Sequence, residues 1–224
     1  MDWLWFAAAL VAFLLAHSLP LRPPVKAWFV AKLGRGGFQL LYSALSLLLL
    51  VWVIRAAGEA PYVELWPQAA WQRTLAFYGM LGVCLLLALA IARPNPFSFG
   101  GARNESFDPA RPGIVRWTRH PLLLGLALWA GLHLLVNGDL ARALLFGLFA
   151  GFSLLGMAVI DRRKRREMGD VEWSALRHAV KAAPHLAPPL SRMGLFARLA
   201  LGVAGFLLLT LLHPVVLGVS PMPH

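Results

Sequence analysis

Six apolar runs, each almost free of charge, are separated by gaps that alternate between strongly and weakly basic, and this alternation limits the fold more than any single motif. The runs cover residues 3–19, 38–56, 74–92, 121–136, 141–160 and 195–214. A hydrocarbon core is crossed by about 20 apolar residues in a helix, and shorter runs reach across by tilt or local thinning. Lipid offers no water to free N–H and C=O groups, so each run folds as a helix rather than as open sheet. The expectation is an all-α polytopic membrane protein with about six transmembrane helices in one bundle, a single domain over residues 1–224. Composition points the same way: 59% of the residues are hydrophobic, where soluble domains hold about 45–50%.

The basic residues orient this bundle. Of 21 Lys and Arg, four lie in the gap 19–37 (Arg22, Lys26, Lys32 and Arg35), five in 93–119 and nine in 161–198, against Arg55, Arg73 and Arg142 in the other gaps. The positive-inside rule makes the three strongly basic gaps cytoplasmic and, in the inner membrane of a Gram-negative bacterium, both termini periplasmic. The first run has Asp2, no basic flank and no small-x-small cleavage site, so it reads as a retained helix rather than a leader. The formal charge of +11 follows membrane topology, and Arg162-Arg163-Lys164-Arg165-Arg166 begins where a span ends. Anionic headgroups are therefore the expected partner, and nucleic acid is not. Residues 162–173 pattern as an amphipathic helix along the headgroups, closed by the turns at Pro184, Pro188 and Pro189. Pro94 and Pro96 stop the third helix, and a loop through Pro109 and Pro112 leads to the fourth.

Conventional hydrolytic machinery is not visible. The single Cys84 sits inside an apolar run, where it serves as a small filler and excludes a disulfide framework. Glu59 and Glu64 fall in a periplasmic loop, and Asp139 follows the Asn137-Gly138 turn as a cap for the fifth helix. Asp161 stands beside five consecutive bases, which predicts pairing within Arg162 to Arg166 or an orienting role toward a cofactor.

Histidines are more informative. His178, His185 and His224 lie in polar or terminal segments, whereas His17, His133 and His213 lie in or near the ends of apolar helices. Inside lipid an ionisable side chain must find partners, which makes it either a packing residue bonded to a neighbouring carbonyl or a ligand. His120 and His133 are separated by about 20 Å along one helix and by about 140° around it, so they do not ligate one metal together. His133 shares a face with Trp129 and forms one side of a pocket, and a second ligand has to come from another helix. At the mouth of the same helix Arg116, Arg119 and His120 precede Pro121, where free backbone N–H groups and the cations suit a carboxylate, a phosphate or lipid headgroups.

Several separated motifs, Ala16-His17-Ser18 with Leu21-Arg22, Gly113 to Pro121, Leu132-His133, Asp161-Arg162-Arg163 with Met168-Gly169-Asp170, and His213-Pro214, occur in the order that resembles the NnrU family of bacterial membrane proteins, which includes the plant zeta-carotene isomerase. The resemblance implies haem b held in the membrane, with His17 and His133 as axial metal ligands and His120 and His213 as substitutes. Arg116 and Arg119 then lie on the cofactor side of the helix mouth. The isomerase's cysteine three residues before its second histidine is Ala130 here, so no thiolate is available at that position. The resemblance also implies support of nitrite or nitric oxide reduction, or related redox or isomerase chemistry, with an apolar or gaseous small molecule as ligand. Two other classes share the sequence signals. Arg119-His120-Pro121 with Gly125 is similar to the Arg-His-Pro-x-Tyr-x-Gly signature of isoprenylcysteine carboxyl methyltransferases, with Leu123 at the tyrosine position, which implies an S-adenosylmethionine-dependent enzyme. A basic cytoplasmic face also serves a non-enzymatic assembly or regulatory factor.

Overall fold

The computed structural model describes residues 3–185 and 191–223, so Asp2, Pro188, Pro189 and His224 lie outside the described residues. The described chain is helical and contains no named strand. It divides into two compact units, Met1–Pro67 with Gly138–Leu145, and Gln68–Asn137 with Phe146–His224.

In the first unit, helix α1 (Trp3–Ser18) packs against α2 (Pro23–Glu59). Ala9, Val53 and Ala56 are completely buried there, and Trp5 meets Trp52 edge-on at 5.2 Å between ring centroids. In lipid, where apolar contact with solvent drives nothing, small side chains let two backbones approach and dispersion holds them. α2 is bent at Gly34, whose φ of 71° lies in the left-handed region that glycine enters without a Cβ clash. After α2 the chain is pinned by backbone bonds: the N–H groups of Leu65 and Trp66 both donate to the carbonyl of Gly138, and Leu140 donates to Val63 at 2.9 Å. Asp139 caps the helix that follows, accepting from the Arg142 backbone N–H at 3.1 Å and pairing with its guanidinium at 2.8 Å.

That helix, α5 (Leu140–Met168), starts in the first unit and continues in the second. The second unit is organised on α3 (Ala70–Ala90), which packs against both α4 (Pro121–Val136) and α7 (Arg192–Leu217). Small residues again set the spacing. A Cβ at Gly202 would stand 3.1 Å from the Leu85 Cα and 3.2 Å from the Cys84 carbonyl oxygen, so α7 rests on the backbone of α3 itself. Arg198 of α7 reaches the end of α3 and donates to the carbonyls of Ala88 and Ile91, both at 2.8 Å, which would otherwise be left without helical partners. Beyond the apolar helices, Phe97, Val115, Trp173 and Val180 form a small core that ties the α3–α4 loop to α6 (Asp170–Ala182).

One expectation is met in part at this level and another changes. Among the described residues four helices, α2, α3, α5 and α7, are long and apolar enough to cross a membrane. The first and fourth expected spans are helices of 16 residues, about 24 Å long at 1.5 Å per residue and so short of a hydrocarbon core of about 30 Å. Nor does an amphipathic helix start at Arg162. Residues 162–168 prolong α5, and Gly169 with φ 85° breaks the chain, so the separate helix begins at Asp170. It buries Trp173 and Val180 against the small core while Asp170, Glu172 and Lys181 face outward.

Replacing Gly202 by Leu forces α7 off α3, and the expected cost is about 1–3 kcal/mol from overpacking against backbone that has no rotamer to yield. Gly205→Leu, where nothing lies within 4 Å of the added Cβ, leaves stability unchanged. Thermal unfolding of the two variants in detergent, side by side, checks this; equal midpoints would show that the α3–α7 contact does not limit stability.

Candidate functional site

The mouth of α4 in the second unit gathers Asn95, Ser98, Arg119, His120 and Asp161 into one polar network. His120 is the residue before the helix and Pro121 its first residue, a position where a missing N–H costs nothing and the fixed φ is already helical. The Arg119 guanidinium donates to Asp161 of α5 through Nε at 3.1 Å and Nη2 at 2.5 Å, and His120 Nε2 lies 3.0 Å from Oδ1 of the same carboxylate. On the other side of the ring His120 Nδ1 is 3.0 Å from the Ser98 hydroxyl. Asn95 completes the frame: its side-chain N–H donates to the Arg119 carbonyl at 2.9 Å, its side-chain oxygen accepts from Phe97, and its backbone N–H donates to Asn104.

Asn95, Ser98 and His120 are each less than 5% exposed. Burial holds the His120 imidazole below its ordinary pKa, against the attraction of the Asp161 carboxylate, so the ring is neutral near pH 7. With one ring proton, Nε2–H donates to Asp161 and Nδ1 accepts from Ser98. Asp161 then balances the single charge of Arg119, and both ring nitrogens of His120 are in use.

The histidines of the apolar helices are arranged differently. In α4, His133 Nδ1–H donates to the Trp129 carbonyl one turn earlier at 2.8 Å, and its ring lies 5.0 Å from those of Trp129 and Phe146. Among the described residues Nε2 has no hydrogen-bond partner. In the first unit His17 repeats the pattern, with Nδ1 bonded to the Phe13 carbonyl at 3.1 Å and the ring against Phe13 and Tyr42. His213 near the end of α7 uses Nδ1 on the Val219 carbonyl at 2.6 Å. A ring tethered through Nδ1–H to a carbonyl has a fixed tautomer with its lone pair on Nε2, which is the state a metal ligand needs.

Of the residues singled out in the sequence, Arg119 and His120 are brought together by Asp161, while Arg116 is turned away. Arg116 donates to the Ala183 carbonyl at 2.9 Å and to His185 Nε2 at 3.1 Å, fastening the loop before α4 to the end of α6. The three do not form an open anion nest. Asp161 does not pair with the bases that follow it either: Arg163 and Lys164 serve Glu167, and Arg165 serves Asp170. Ser98, Asn95 and Asn104 were missed; the available signal was three short polar residues in a Pro-interrupted loop otherwise rich in Phe and Gly.

A depressed histidine pKa gives a definite pH dependence. The unfolded chain takes up a proton at His120 below about pH 6.5 and the folded chain does so only at lower pH, so acidification through that range destabilises the fold. His120→Gln is expected to lower stability at pH 7.5 and to lose part of the further decrease that wild type shows at pH 5.5. Thermal unfolding at the two pH values measures it, and an identical acid-induced decrease in the variant would remove His120 as the cause.

The sequence matches the family model described as NnrU protein over residues 5–221. No curated protein matches it, and no solved structure does. A match over nearly the whole chain, on helices apolar enough to cross a bilayer several times, makes this a multi-pass membrane protein that belongs to the NnrU family.

Proposed function

We propose that this protein is a haem b-binding member of the NnrU family in a bacterial inner membrane, with His133 supplying an axial nitrogen through Nε2. The observation that carries the reading is the state of that ring: Nδ1 bonded to the Trp129 carbonyl, Nε2 without a hydrogen-bond partner among the described residues, and the rings of Trp129 and Phe146 against it. A neutral imidazole in lipid with one nitrogen unused forgoes a hydrogen bond unless something accepts its lone pair. Ferric or ferrous iron does so without adding charge to the side chain. His17 presents the same chemistry in the first unit and is the second axial ligand that the resemblance implies; His213 is its substitute. His120 is not free to ligate, because both its nitrogens are bonded.

Held by both His133 and His17, haem would supply electron transfer, and held by His133 alone it would offer a site for nitric oxide or a polyene. The chain's own part is to hold the imidazoles in one tautomer, exclude water with Trp129, Phe146 and Phe149, and keep the polar α4 mouth neutral. In a denitrifying cell this supports nitrite or nitric oxide reduction, or a related redox or isomerase step. With α1 and α4 crossing a locally thinned bilayer, the chain makes six crossings with both termini periplasmic, since the basic gaps mark the cytoplasmic side. The methyltransferase reading finds less support, because Arg119 of its Arg-His-Pro signature is already held by Asp161 and is not free for a donor's carboxylate.

The expected outcome on purification in detergent is a Soret band with a b-type pyridine haemochrome. His133→Ala loses most of that absorbance, and His120→Ala keeps a low-spin spectrum at reduced yield. His17→Ala converts low-spin to high-spin iron. A colourless wild type, or a His133→Ala spectrum identical to it, would refute the proposal.

A further inference from the structure

The first unit contains a groove of about 700 Å³ whose walls come from both sides of the Gly34 bend. Leu21, Lys26 and Val30 line it from before the bend, and Arg35, Phe38 and Tyr42 from after it. We infer that this groove holds one anionic phospholipid, its phosphate between Lys26 and Arg35 and an acyl chain along Val30 and Phe38. The site is independent of the haem proposal.

Charge is the first argument. No Asp or Glu occurs between Trp3 and Gly58, a stretch that holds Arg22, Lys26, Lys32, Arg35 and Arg55. Among the described residues neither Lys26 nor Arg35 forms an ion pair, in contrast to the bases of residues 163–165, each of which has a carboxylate. Two cations that share a concave surface repel one another, and an anion seated between them relieves this while gaining both attractions. The second argument is the lining. A small inorganic anion would leave the apolar walls wet, whereas a phosphodiester carrying acyl chains covers them and places its charge at the cations. The third is depth: the groove lies where a basic gap meets the apolar part of α2, the level at which the phosphates of the cytoplasmic leaflet sit. The bend at Gly34 makes the concavity, because a straight helix would carry Lys26 and Arg35 on a convex surface.

The test uses the full chain purified in mild detergent, with co-purifying lipid identified by mass spectrometry and binding measured as the rise in unfolding temperature on adding phosphatidylglycerol, phosphatidylcholine or inorganic phosphate. Wild type is expected to retain an anionic phospholipid and to respond to phosphatidylglycerol well above the other two. Each cation near an anionic surface contributes about 1 kcal/mol, so removing one weakens binding roughly fivefold and Lys26→Gln with Arg35→Gln weakens it roughly twenty-fivefold. Lys32→Gln, a cation outside the lining, leaves binding unchanged, and the charge-preserving pair Lys26→Arg with Arg35→Lys retains it even if the neutralised pair folds poorly. Equal response to phosphatidylcholine overturns the inference. So does a neutralised pair that keeps wild-type lipid, or one that loses Soret absorbance while its phospholipid is unchanged, which would assign the groove to porphyrin carboxylates.

Discussion

A carboxylate at the edge of a hydrocarbon layer stays ionised only if donors replace the water it has lost, and Asp161 meets that requirement with two residues that lie next to each other in sequence. Arg119 gives it charge and two hydrogen bonds, and His120 adds a neutral donor. Because Arg119 and His120 directly precede Pro121, satisfying this carboxylate fixes where α4 begins and ties that point to α5. Asn95 then carries the arrangement to the loop after α3 through the Arg119 carbonyl. Three helices of the second unit are thus registered by one acidic group. A partly buried pair of this kind adds little net stability over an apolar contact, while loss of one partner leaves the other unsatisfied, so its contribution is to specify which loop conformation closes the helix mouth.

The same accounting changes the meaning of the chain's large positive charge. Many of its cations have a local partner: Arg142 has Asp139, Arg163 and Lys164 have Glu167, and Arg165 has Asp170. Arg116 and Arg198 use backbone carbonyls at the ends of α6 and α3 instead. Around the α2 bend Arg22, Lys26, Lys32 and Arg35 form no ion pair among the described residues. Positive charge therefore acts in two ways here, as internal fastening where a carboxylate or carbonyl is at hand and as an open electrostatic surface around the α2 bend.

Helix identity was readable because apolar run length and proline leave few choices in lipid. Pro121 opening α4 after His120, Asp139 capping α5, and Trp129 sharing a face with His133 all follow from residue type and helical period. The pairing of Asp161 was not readable in the same way. Adjacent residues on a helix point to different sides, and the base one turn onward, Arg165, finds Asp170 beyond the break at Gly169. Sequence proximity to five bases therefore misdirects, and only folding brings Arg119 within reach. The bends at Gly34 and Gly169 escaped for a related reason: a glycine in an apolar or basic run is ordinary in composition, and its positive φ exists only where the surrounding packing requires it.

Hydrogen bonding at the two ring nitrogens separates the histidines more sharply than depth in the membrane does. His120 is the most buried of them, yet its nitrogens join a serine hydroxyl to a carboxylate, and nothing is left to bind iron or a substrate. His17 and His133 are less enclosed but carry the asymmetry that ligation demands, one nitrogen committed to the carbonyl a turn earlier and the other without a hydrogen bond among the described residues. That tether is supplied by the helix itself, since an i−4 carbonyl is always within reach of a suitable rotamer. An apolar helix can therefore prepare an imidazole as a ligand without any polar neighbour. For a chain that has few acids to spend inside lipid, this is the least costly way to orient a histidine, and the acid it does place near the bilayer edge is reserved for position rather than coordination.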